Sequence, residues 1–137
     1  MEWQIEYLGP ILLLIIFVFF YSYKKITKDP DALTSKHKVK RTYSKTNVDM
    51  KKIITKALMN ARFKKVGFNN ELDRHYAHAG LSFWSFGENI TVKVAVTEEG
   101  QEVKFASMCA FTTTIIDWGK NKRNAKKFFE HFEELIG

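Results

Sequence analysis

From Leu8 to Tyr23 the chain reads LGPILLLIIFVFFYSY without a charged residue, and no other feature of its 137 residues constrains the fold as strongly. Apolar surface on that scale has to be covered by lipid or by protein. Trp3 to Tyr23 is 21 residues, about 31 Å as a helix, against a hydrocarbon core of about 30 Å. The expectation is a transmembrane anchor over residues 1–23. Trp3 and Tyr7 would sit at one interface and Tyr21 and Tyr23 at the other. The run of ten apolar residues from Ile11 to Phe20 leaves no polar face, which argues against a core helix. Glu2 and Glu6 precede the run and no basic residue does, the reverse of a cleavable signal peptide.

All 22 Lys and Arg lie from Lys24 onward. The positive-inside rule then places the N-terminus outside and the remainder in the cytoplasm, as in a single-pass protein of the cell inner membrane. A lone cysteine, Cys109, excludes an internal disulfide and a multi-thiolate zinc site, and suits a reducing compartment. Residues 24–38 read as a basic juxtamembrane linker. Lys24, Lys25, Lys28, Lys36 and Lys38 in it, with Lys40 and Arg41 just beyond, are candidate contacts with an anionic membrane surface. The charge is uneven: Lys24 to Lys65 carries 14 basic and 3 acidic residues, and Val66 to Gly137 carries 8 and 10.

Residues 39–137 read as one cytoplasmic domain. After a strand-like Val39 to Ser44, Thr46 or Asn47 can cap a helix in which Met50, Ile53, Ile54, Ala57, Leu58 and Ala61 recur at helical spacing, ending at Gly67. Three β-rich stretches follow, His75 to Phe86, Glu88 to Thr97 and Gln101 to Phe111, the last two joined by a Glu-Glu-Gly hairpin loop. A final helix from about Asp117 carries Trp118, Ala125, Phe128, Phe129, Phe132, Leu135 and Ile136 on one stripe. The fold class expected is α+β: a transmembrane helix, then a two-layer domain with an antiparallel sheet and two helices packed on one face.

Helices on one side leave the other side of the sheet open. Strand alternation sends Tyr76, His78, Trp84, Phe86 and Met108 to that side as a candidate partner-binding surface, the alternative being that a linker segment or the first strand covers it. His75 and His78 form an H-x-x-H pair, but strand geometry points them to opposite faces, so no metal site is expected. Cys109 shares the face of Val103 and Phe105, where a thiol is inert. Phosphate-binding Gly-rich loops and Ser nucleophile elbows have no counterpart, so no cofactor and no enzymatic role is expected. In the final helix Lys120, Lys122, Arg123, Lys126 and Lys127 crowd the start while Glu130, Glu133 and Glu134 crowd the end. That opposes the helix macrodipole and marks the five cations as candidate anion ligands, against the simpler account of a solvated helix face.

The run FWSFGENITVKV (Phe83 to Val94) followed by DWGKNKRN (Asp117 to Asn124) resembles a group of small uncharacterised bacterial membrane-anchored α+β proteins with a G-E-x-I-x-V strand and a D-W-G-K-N-x-x-N helix start. The resemblance covers roughly the last 70 residues, implies an α+β domain and assigns no activity or site residue. Helix, three strands and a helix with a basic start is also similar to double-stranded RNA-binding domains, where a K-K-x-A-K run meets phosphates. Here Lys122, Arg123, Ala125, Lys126 and Lys127 match only in outline and the G-P-x-H loop is absent, which argues against a nucleic-acid partner. The functional expectation is a membrane-anchored binding module, an accessory or scaffold subunit. Its partners would be the lipid bilayer, membrane protein subunits of a larger assembly and an anionic lipid. The alternative is a basic peripheral module for nucleic acid or anionic lipid phosphates.

Overall fold

The structure is a computed structural model that describes residues 3–27, 35–44, 48–80, 87–111 and 119–137. It forms two units, Met1–Leu33 and Thr34–Gly137. The first holds α1 (Trp3–Thr27), with Pro10 in its early turns. From Tyr7 to Tyr23 its described side chains are exposed around the whole circumference, apart from half-buried Phe20. The ring contacts Phe19 to Phe20 and Phe19 to Tyr23 are internal to the helix.

Among the described residues no helix is long and apolar enough to cross a membrane, which corrects the expected transmembrane anchor and with it the single-pass inner-membrane localisation. The strictly apolar run is the ten residues from Ile11 to Phe20, about 15 Å of helix and half of a hydrocarbon core. Gly9 and Pro10 precede it, and Tyr21, Ser22 and Tyr23 follow. Without those weakly apolar flanks the segment falls short of a hydrocarbon core.

The second unit is α+β. Its elements are β1 (Lys36–Tyr43), α2 (Met50–Asn60), β2 (Lys64–Asn69), β3 (Arg74–Ala79), β4 (Glu88–Thr97), β5 (Gly100–Cys109) and α3 (Lys120–Ile136). The sheet is antiparallel throughout, in the order β1-β5-β4-β3-β2. Lys36 and Lys38, which the sequence suggested as linker, are strand residues paired with Met108 and Ala106.

α2 starts at Asp49, whose carboxylate accepts from the backbone N–H of Lys51 and Lys52. Thr46 and Asn47, the expected caps, lie outside the described residues. α2 ends at Asn60, and Arg62, at φ 60°, makes the left-handed turn expected of Gly67. Gly67 instead lies within β2, an edge strand not anticipated, where an added Cβ would overlap the Tyr76 ring and hydroxyl. β4 and β5 are joined by the two-residue loop Glu98–Glu99, so that Thr97 faces Gly100. Gly100, at φ 143°, has no room for a Cβ beside the Tyr43 carbonyl.

Both helices pack on one face of this sheet. Ile54, Ala57 and Leu58 of α2 and Phe128, Phe129 and Phe132 of α3 meet Ala77, Ile90, Val92, Val103 and Phe105 in one core. Phe105 and Phe128 stack at 5.1 Å between centroids, and Phe128 stacks on Phe132 at 5.6 Å. Burying a phenylalanine of this kind contributes roughly 1.5–3 kcal/mol. The apolar stripe of α3 is interrupted by Asn121 and Asn124, both buried.

Candidate functional site

Alternation dictates what the uncovered face of the sheet displays. Since Val39, Val92, Val103 and Phe105 point to the helices, Lys38, Lys40, Lys93 and Lys104 point away from them. Pairing across β1, β5 and β4 puts Lys40 opposite Lys104 and Lys104 opposite Lys93. The β3–β4 register, His75 opposite Val92, brings Arg74 to the next place in the same row. Four cations therefore line up across four strands, roughly 4.8 Å from strand to strand. Like charges directly opposite one another destabilise a sheet.

Glu102 relieves part of that repulsion. Its carboxylate lies 2.9 Å from the Lys104 ammonium and 3.5 Å from that of Lys40, and the hydrogen bond from Lys104 holds its pKa below the usual carboxylate range. Among the described residues Lys38, Arg74 and Lys93 form no ion pair. A depression of about 490 Å³ opens among Lys38, Lys40, Arg74, Thr91, Lys93 and Lys104.

The expected partner-binding residues divide. Tyr76 and Met108 are on the open face, 42% and 43% exposed, and His78 is half-buried there. Trp84 and Phe86 lie outside the described residues. Among the expected membrane-surface cations, Lys36, Lys38 and Lys40 are on the open face and Lys25 is exposed on α1. The Lys24 side chain and all of Lys28 lie outside the described residues. Arg41 faces the opposite way: its guanidinium lies 4.3 Å from the Phe129 ring centroid and 2.6 Å from the Glu133 carboxylate.

That contact belongs to a clasp at the end of α3. The Tyr43 hydroxyl donates to the same Glu133 oxygen at 2.8 Å. Arg41 first, then Tyr43, hold the Glu133 pKa down; burial and the Glu133 contact raise that of Tyr43.

Of the five expected anion ligands on α3, Lys122, Arg123, Lys126 and Lys127 are exposed, with Lys126 3.7 Å from Glu130. Lys120 is committed elsewhere. Its ammonium is 3.0 Å from the fully buried Glu88 carboxylate and donates to the Gly80 carbonyl at 2.7 Å. Asn124 also donates to Glu88, at 3.4 Å, and to the Ser107 hydroxyl at 3.2 Å. Ser107 donates to Asn121 at 2.6 Å, and Asn121 donates to the Ser35 carbonyl at 3.0 Å. Glu88 thus supplies, from β4, the negative charge that the first turn of α3 lacks. This buried polar cluster pins α3 to the sheet. It joins the Gly-Glu and Lys-Asn-x-x-Asn motifs, which the sequence showed only as separate runs.

Sequence reasoning missed Arg74, Lys93 and Lys104 as surface residues acting together. The signal was available: a two-residue loop between β4 and β5 fixes Lys93 opposite Lys104. His75 faces the other way, only 2% exposed, donating from Nε2 to the Lys51 carbonyl at 3.1 Å. Burial lowers its pKa. No family model, no curated protein and no solved structure matches the chain.

Proposed function

We propose that this protein is a binding module whose working surface is the open face of the sheet and whose partner is anionic. The observation that carries the reading is the row Lys40, Lys104, Lys93 and Arg74, whose mutual repulsion Glu102 offsets only at Lys40 and Lys104, so that an anionic ligand would offset the rest. Catalysis has no part in this reading. The surface works by charge density and shape. A second reading, an accessory or scaffold subunit docked on a protein assembly, draws on Tyr76 and Met108 at the same face and on the apolar side chains exposed around α1.

A sulfated polysaccharide resin tests the first reading on the full chain in mild detergent. Replacing Lys40, Lys93 and Lys104 together by Gln should lower the salt concentration needed for elution well below that of the parent. Replacing Lys122, Lys126 and Lys127 by Gln removes the same charge from α3 and should leave elution close to the parent. Equal shifts for the two triple variants would mean that net charge alone governs retention, and the assignment to the sheet face would fall.

A further inference from the structure

The spread of charge over the open face narrows the kind of anion that fits it. Resting on the assignment of that face to anion binding, we propose that its occupant is the phosphate-bearing surface of an anionic lipid layer, met face-on by the sheet.

The argument starts from dimensionality. Lys36, Lys38 and Lys40 alternate along β1, roughly 6.7 Å apart, while Lys40, Lys104, Lys93 and Arg74 run across the strands at roughly 4.8 Å. The two lines meet at Lys40 at right angles. Charge therefore extends in two directions over one side of the sheet, which matches a plane of headgroups. A single phosphate chain is a line and would leave one of the two arms unused.

The residue types point the same way. Five of these six cations are Lys and one is Arg. Lys is a hydrated point charge on a flexible stem that follows mobile headgroups, whereas fixed bidentate recognition of one phosphate or base calls for Arg. Single-strand platforms stack successive bases on several aromatic rings. Among the described strand residues of the open face the rings are Tyr76, which lies over Gly67, and the half-buried His78. The face is also mixed, with Met108, Ala106, Thr91 and the Glu102 carboxylate between the cations, and Glu102 engages Lys40 and Lys104 while Lys38, Lys93 and Arg74 form no ion pair among the described residues. Lys attraction to an anionic leaflet fades within a Debye length, about 8 Å at physiological salt and about 3 Å at 1 M, so the contact must be close and salt-sensitive.

Amine-reactive footprinting of the full chain distinguishes the occupants, because it reads each lysine separately and so tells the sheet face from the rest of the chain. The chain is mixed with phosphatidylcholine vesicles, with vesicles containing phosphatidylglycerol, with a single-stranded oligonucleotide or with polyglutamate, at matched anion concentration. Phosphatidylglycerol vesicles should slow labelling of Lys40, Lys93 and Lys104 at least threefold. Lys122, Lys126 and Lys127 should keep their rates, neutral vesicles should protect none of the six, and 1 M salt should abolish the protection. Protection by the oligonucleotide or polyglutamate without protection by vesicles would overturn the lipid assignment and leave the anion-binding face intact. Labelling unchanged by every anion would overturn both. Slowing of all six lysines alike would show that no particular face meets the lipid. A Lys93→Gln, Lys104→Gln variant that still protects Lys40 as well as the parent does would show that the row does not act as a unit.

Discussion

The two faces of one five-stranded sheet solve opposite problems with alternate residues of the same strands. On β5, Val103, Phe105 and Ser107 enter the helix layer, while Glu102, Lys104, Ala106 and Met108 turn away from it. The covered face is specified by shape, with stacked phenylalanines filling the space under α3. The open face has no such filling, and its one repeated choice is positive charge. Folding is thus carried by one side chain out of two along each strand, which releases the other for association.

The sharpest way to break this contrast is to cut the covered face. Phe128→Ala should cost about 3–5 kcal/mol, read as a lowered denaturant midpoint, because a fully buried ring stacked on Phe105 and Phe132 leaves a cavity that the helix cannot fill. A loss below about 1 kcal/mol would mean that α3 is less firmly packed than the core implies.

A smaller effect should come from a titrating group on the same covered face. His75 is buried and its pKa is lowered by burial, so the unfolded chain takes up a proton near pH 6.5 that the folded chain resists. The stability it permits is present above that pH and is lost as pH falls through 6.5 toward the lower folded value. Denaturant midpoints at pH 7.5 and 5.5 should show the decrease, and His75→Gln should flatten the part of the slope that His75 causes. An unchanged slope would locate the acid sensitivity in other groups.

The least effect on stability is expected from the open face. The Lys40, Lys93, Lys104 triple Gln variant should stay within about 0.5 kcal/mol of the parent, or gain slightly as the cross-strand repulsion goes. A loss as large as that of Phe128→Ala would show that these lysines hold the fold and would erase the contrast.

The same division between faces decides how much of the molecule is legible in its sequence. The β4 alternation, the stripe of α3 and the sheet-on-helix layering all come from apolar periodicity, which sequence displays directly. β2 escaped because Lys64–Asn69 carries two lysines and a glycine, and its register shifts where Lys65 adopts φ 51°. Lys120 read as an anion ligand because its partner Glu88 lies 32 positions earlier in the chain. Asn121 and Asn124, polar residues within an apolar stripe, were the available sign that the start of α3 faces a buried polar cluster. In α1 the absence of charge from Leu8 to Tyr23 does not by itself make a span, since the strictly apolar run is ten residues.

The strand order has a consequence for how the domain is made. β1 pairs with residues that lie 58 to 72 positions later in the chain, from Tyr43 with Gln101 to Lys36 with Met108. At about 5–20 residues per second, a ribosome delivers that partner roughly 3 to 15 s after β1 has emerged. Throughout the interval the segment 36–43 has no partner for either edge, and an unpaired β-forming segment is apt to pair with another nascent chain. Lys36, Lys38 and Lys40 stand at every second position of it, so any two such strands brought edge to edge would repel. Before the sheet exists to display them, these lysines guard its first strand, and once β5 has paired one side they guard the edge that β1 leaves open.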